Sequence, residues 1–365
     1  SEMCIRDRNM KKFILPIFCL AAGSVLANVG YIYKGSGALD DASSWYLITA
    51  GSISNCNYAP LYPEDYTGEY TTKGDSGNYS VYTQATTAPT ASDTVGFIRY
   101  EVGVIGENSS EITFSGETKD YGDVVFGSSY SVGNIYSRSY WTRRLVLGSE
   151  NATESEFVLK VTGNLNIFYS GNHSIVISDS AAQTSFKIDV GGQLMSQGIT
   201  NGAIGAQGAY IDEVKAKSFA MTGTAEQTLN MYVKSMVIAE TVEFGTSNVI
   251  LHICELDPDS ALFDFGGKFS KDSEKKVTLD FSELDLSSIS SGTYDIISAG
   301  SLEGFSEDGT LADDFIVSGL DDENFSLAWN GNSLQMVVVP EPAAMASAIG
   351  AVCLILGGLR RKFRR

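Results

Sequence analysis

The chain has 365 residues, of which 43% are hydrophobic and 19% charged, and its formal net charge is −19. Between residues 28 and 339, 16 Lys and Arg stand against 41 Asp and Glu. So acidic a surface repels nucleic acid and anionic lipid, whose recognition needs cation-rich faces, and suits solubility or uptake of divalent cations.

Ser1 to Asn9 reads as extraneous, because Met10 followed by Lys11 and Lys12 is the better start. From Met10 the chain has the order of a secretory signal peptide. A cationic pair precedes an apolar run from Phe13 to Ala22, and Val25 and Ala27 place small residues where a signal peptidase reads them. Cleavage after Ala27 is expected, giving a mature start at Asn28; a buried N-terminal helix is the alternative.

Fourteen of the 18 tyrosines lie between Tyr31 and Tyr140, in a stretch from 28 to 145 rich in Ser, Thr and Gly. Val95–Val102 and Glu111–Ser115 read there as strands. The tyrosines fit core and strand use, and also stacking on sugar rings.

From 146 to 338 the pattern is more regular. Phe157–Val161, Leu165–Ile167, Ser174–Ser178, Phe186–Val190, Leu229–Val233, Met236–Ile238, Val249–Ile253 and Val277–Phe281 alternate apolar and polar residues. Gly171-Asn172, Gly191-Gly192 and Asn201-Gly202 punctuate them, and the glycine-rich run from Gly198 to Gly208 reads as coil turns. A sandwich and a right-handed parallel β-helix both fit strand centres about ten to twelve residues apart. Two-residue hairpin signals are scarce, which favours the β-helix. The expected fold is therefore an all-β solenoid, with a less regular β-rich N-terminal part and a C-terminal transmembrane helix.

Ser291-Gly-Thr-Tyr-Asp-Ile-Ile-Ser298, Phe315–Val317 and Phe325–Val338 resemble the terminal segment of autotransporter-like passenger domains. That resemblance implies strands closing the solenoid's open end, which would otherwise present an unpaired edge. No membrane β-barrel follows; a different tail stands in its place.

That tail has three parts in order: Val339-Pro340-Glu341-Pro342, an uncharged run from Ala343 to Leu359, and Arg360, Arg361, Lys362, Arg364 and Arg365. The prolines end regular structure. The uncharged run, which includes Ile349, Val352, Leu354, Ile355 and Leu356, would span roughly 26 Å as a helix, near the hydrocarbon thickness of about 30 Å. The cations would stay cytoplasmic. This arrangement resembles the PEP-CTERM sorting domain. The resemblance implies an exosortase as partner, a Gram-negative-type bacterium, an inner-membrane intermediate and delivery to the cell surface or beyond. A plain single-span anchor is the alternative.

Outside the leader, the tail and the extraneous start, two cysteines remain, Cys56 and Cys254. One disulfide or two buried thiols fit equally. Neither lies near a second ligand at metal-binding spacing, so no metal site is expected. Of two histidines, His173 is read in a turn and His252 on a strand, and neither has a nucleophile-elbow context. Asp257, Asp259 and Asp264, like Asp313, Asp314, Asp321, Asp322 and Glu323, lack calcium-loop spacing and read as solvated acids, with weak structural calcium as the other reading. No cofactor and no catalysis are expected. The chain reads as a surface adhesin or exopolysaccharide-associated scaffold, and a carbohydrate-active β-helix enzyme is the alternative.

Overall fold

The computed structural model describes residues 30–35, 37–50, 58–61, 70–73, 79–97, 99–105, 112–119, 123–138, 143–168, 172–197, 201–222, 227–306, 311–320 and 324–339. The leader with Val25 and Ala27, Cys56, Asp321, Asp322, Glu323 and the tail from Pro340 lie outside them. Among the described residues no helix is long and apolar enough to cross a membrane.

In the strand Glu156–Val161 the apolar Phe157, Leu159 and Val161 are buried and Lys160 is exposed. Period-two alternation gives each strand one apolar face, and that face needs a partner. Here the partner is the same face of the next turn of chain. Leu159 pairs in parallel with Ile188, Ile188 with Val214, Val214 with Met236, Met236 with Phe263 and Phe263 with Ile297. A second strip runs Val95, Ile135, Leu165, Leu194, Phe219, Val242, Phe269 and Leu302. A third runs Val124, Leu145, Ile175, Ile204, Met231, Leu251, Leu279 and Val317. The protein is thus all-β, with a large, mostly parallel sheet system that is β-helix-like. The stack is continuous on both sides of residue 145.

One coil takes 29 residues from Leu159 to Ile188, 22 from Val214 to Met236 and 34 from Phe263 to Ile297. The strips keep register while the connections absorb the difference, since lengthening a surface loop costs little. That variation hides the repeat from sequence inspection.

Several expected boundaries shift. Gly191 and Gly192 do not separate strands; they bend the single strand Ser185–Gln197, whose register slips between Val190 and Gln193. A Cβ on Gly191 would lie 2.4 Å from the carbonyl oxygen of Thr162. At the same bend, Asn164 accepts the Gln193 amide at 2.8 Å, and Asn134 accepts the Asn164 amide at 2.8 Å. Leu229–Val233 and Met236–Ile238 fuse into Thr228–Glu243. Val95–Val102 divides into Thr94–Phe97 and Arg99–Ile105. Asn201–Ile204 is a strand inside the run expected to be turns.

Both ends of the parallel stack finish in antiparallel strands. At the front, Gly30–Tyr33 pairs with Trp45–Ala50, and Trp45–Ala50 with Tyr79–Gln84. At the rear, Phe325–Asn330 and Ser333–Val338 form a hairpin about the turn at Gly331 (φ 63°), and Ser333–Val338 lies on Gly292–Glu303. An antiparallel partner covers a free edge while interrupting the repeat that would recruit another chain.

Burying such a side chain contributes about 1.5–3 kcal/mol, and the core is a column of these. Its rear half is aromatic: Phe219, Phe244 and Phe269 follow each other at 5.9 and 5.1 Å, and Phe305 continues to Phe315 and Trp329 at 6.0 Å each. Of the front tyrosines, Tyr31, Tyr33 and Tyr46 are buried, with Tyr33 5.3 Å from Trp45. For these three the core reading holds and the sugar-stacking reading does not.

Candidate functional site

The third strip carries a polar column beside its apolar one. On four successive strands an apolar residue of the strip is followed by a polar one: Met231-Tyr232, Leu251-His252 and Leu279-Asp280, whose apolar members are buried, and Val317-Ser318, whose valine is exposed. In-register pairing stacks these as Tyr232, His252, Asp280 and Ser318. The rings of Tyr232 and His252 lie 3.9 Å apart and 11° from parallel. His252 Nδ1 is 3.0 Å from Asp280 Oδ2, and its Nε2 is 3.1 Å from Asn230 Oδ1. Asp280 Oδ1 accepts from the Ser282 amide at 3.1 Å, from Ser282 Oγ at 2.5 Å and from Ser318 Oγ at 3.0 Å.

Burial pushes the His252 imidazole below its ordinary range, against the opposing pull of Asp280 and Glu283. For Asp280, burial acts to raise the carboxyl, but the Ser282 and Ser318 bonds and His252 outweigh it and hold it low. A neutral imidazole is also satisfied here, since rotating the Asn230 amide would present Nδ2 to Nε2.

Around this column other titratable groups gather. Tyr210 meets Tyr232 edge-on at 5.6 Å, and Lys234 bonds Asp212 at 2.9 Å. Cys254 is a half-buried free thiol that burial, then the nearby Glu255, pushes up to about 11. At that value the thiol is not a nucleophile at neutral pH. A hydrolytic triad would need a serine hydroxyl at His252 Nε2, where Asn230 sits; Ser282 and Ser318 lie on the far side of Asp280. The arrangement ties four coils together by stacking and charge-assisted hydrogen bonds.

The other anticipated residues are dispersed. His173 lies on the strand Asn172–Ile177 rather than in a turn, paired with Arg143 and Gly202. Asp257 caps its own loop, accepting from the Asp259 amide at 2.9 Å and Ser260 Oγ at 2.7 Å. Asp264 lies on a strand, and Asp313 on the short helix Leu311–Asp314. Asp314, expected as a solvated acid, is instead 3% exposed and bonded to Lys271, 1% exposed, at 2.9 Å. Lys271 also donates to the Gly304 carbonyl at 2.7 Å, and Asp314 accepts from the Ser306 amide and hydroxyl at 2.9 Å. Sequence reading missed this pair because 43 residues of chain separate its members. Among the described residues no group of three or more His, Cys, Asp or Glu side chains is placed to hold a metal ion.

No known protein family, no curated protein and no solved structure matches this chain.

Proposed function

We propose that the chain is an exported cell-surface or matrix protein of a Gram-negative-type bacterium, released by signal peptidase and sorted by an exosortase. Its body is a right-handed parallel β-helix that acts without catalysis, as an adhesin or an exopolysaccharide-associated scaffold. The hand follows the near-universal preference of parallel crossovers. Residues 343–359 cross the inner membrane before processing.

One observation carries the reading. The last strand of the rear hairpin ends at Val338, and the final backbone tie is Val339 N donating to Asn324 O at 2.8 Å. The next residue is Pro340. Among the described residues the last strand closes just before the Pro340-Glu341-Pro342 triplet, so a cut at the triplet would leave every described strand whole. The test is mass spectrometry of both ends of the mature protein from fractionated cells, with and without Pro340→Ala and Pro342→Ala. The reading expects an N-terminus near Asn28 and a C-terminus near the triplet, both ends in the envelope or medium, and loss of rear processing in the double variant. Unaltered processing and location in that variant would overturn the sorting.

A second reading, a β-helix polysaccharide lyase or hydrolase, is favoured by the gathering of Asp212, Asp280 and Glu283 with Lys234 and His252 on one flank. Against it stands the engagement of His252 Nε2, Asp280 and Lys234 by neighbouring side chains. Release of reducing ends or unsaturated products from neutral or uronic polysaccharide, abolished by Asp280→Asn, would establish this reading instead.

A further inference from the structure

The first and third strips differ on their solvent sides. On the third, the strands Asn172–Ile177, Asn201–Ile204, Asn248–His252, Val277–Asp280 and Phe315–Ser318, with residues 228–233, contain one carboxylate, Asp280, and no Lys or Arg. Ahead of them Arg144 and Asp123 neutralise each other at 2.5 Å. The first strip is a grid of charge instead: Lys187 pairs in register with Glu213, and Asp189 lies between Lys160 and Lys215.

The third strip turns apolar, mostly β-branched side chains outward. Val125, Val146 and Val176 stack in register. In the neighbouring column Ala203, Asn230, Ile250, Thr278 and Ile316 do the same. Of the four exposed large apolar side chains among the described residues, three lie on the first and last strands of this strip: Val125 at 54%, Ile316 at 52% and Val317 at 41%. Apolar surface left together at the solvent marks a contact site.

Charge and shape select the occupant. The chain carries −19, so two copies repel each other, and least where neither presents carboxylates. The third strip is such a face, and it gains by shedding water against a copy of itself. A glycan is the poorer match. Besides His252, the one aromatic side chain on the solvent side of these strands is Tyr232, and its ring already stacks on His252 at 3.9 Å. Eight strands stack in the strip, giving a footprint of roughly 34 Å by 13 Å. Two such faces bury about 900 Å² in all, at the low end for a specific contact, so the affinity expected is micromolar.

We infer that two copies of this chain pack sheet on sheet through the outer face of the third strip, as a symmetric dimer. The inference goes beyond the sorting reading and does not depend on it.

The test is sedimentation velocity on the purified full chain in density-matched detergent, from about 1 to 200 μM, a range that brackets micromolar affinity. Dimers are expected, and they should tighten several-fold as salt rises from about 50 to 500 mM, because salt screens the repulsion between the acidic bodies. Val146→Lys and Ile250→Lys place a cation on the face and should each weaken the dimer at least about tenfold with an unchanged melting curve. If either melts early, Val125→Lys and Ile316→Lys, at positions more than half exposed, decide instead. Val237→Lys, in the first strip between Lys215 and Asp264, should leave the dimer intact. A monomer at every concentration, a dimer loosened by salt, or one indifferent to all the third-strip variants would overturn the inference. So would equal loss in Val237→Lys. Retention of a monomer on insoluble neutral glucan, abolished by Val125→Lys, would assign the face to a glycan instead. Sorting is read from the chain's termini, which none of these measurements touches.

Discussion

His252 Nδ1 lies 3.0 Å from the Oδ2 of Asp280, on the next coil of the same strip, although 28 residues separate them in the chain. Parallel in-register stacking makes residues one coil apart nearest neighbours, so each coil reads chemically against the next.

The burial of that imidazole, which outweighs the opposing pull of Asp280, gives a pH dependence with a defined sign. Burial holds His252 below its ordinary range, so on acidification the unfolded chain takes up the proton first. The stabilisation is complete above the unfolded imidazole value of about 6.5 and is lost as pH falls through the lower folded value. Asp280, also held low, keeps its contribution until the solution is more acidic still. The melting temperature is expected to fall between pH 7.5 and 5.5, and His252→Gln should flatten that slope. Identical slopes in the two proteins would refute the assignment.

The buried pair Lys271–Asp314 should behave differently when one partner or both are replaced. Lys271→Ala leaves a buried carboxylate uncompensated and is expected to cost about 3–5 kcal/mol in urea unfolding. Lys271→Met with Asp314→Leu should recover most of that loss, because packing replaces the charges. A double variant as unstable as the single one would mean that the helix Leu311–Asp314 depends on the ion pair itself.

Two adjacent glycines offer an internal comparison. A Cβ on Gly267 would meet the Glu240 carbonyl oxygen at 1.6 Å, whereas on Gly266 the nearest atom, the Ala239 carbonyl oxygen, lies at 3.2 Å. Gly267→Ala must push two coils apart and is expected to lose about 2–3 kcal/mol. Gly266→Ala should lose clearly less. Equal midpoints would show that the strip bend tolerates the extra carbon.

The rear hairpin is expected to protect solubility. Leu334 and Met336 are fully buried, and Met336 pairs with Tyr294 on the strand it covers. Met336→Asp buries a charge at that contact and should detach the hairpin, exposing the edge of Gly292–Glu303. Light scattering at matched concentration should rise well above that of the parent; unchanged scattering would argue that the hairpin is not the seal.

The strands themselves were legible because alternation such as Phe157-Leu159-Val161 is a local property, dictated by a chain that must hide one face. At the rear the sequence suggested only strands closing the solenoid's end, as the resemblance implied; that Phe325–Asn330 and Ser333–Val338 fold back on each other about Gly331 was not legible. What composition and pattern determined was a β-rich acidic body followed by a proline-interrupted, uncharged segment. Which residues meet was decided only by the stack. Tyr232, His252, Asp280 and Ser318, or Lys271 and Asp314, become neighbours through coil steps of 20 to 38 residues, or across 43 in the case of the ion pair. Connections tolerate such variation at little cost while the strips hold register, so local sequence carries the strand and the tertiary packing alone carries its partner.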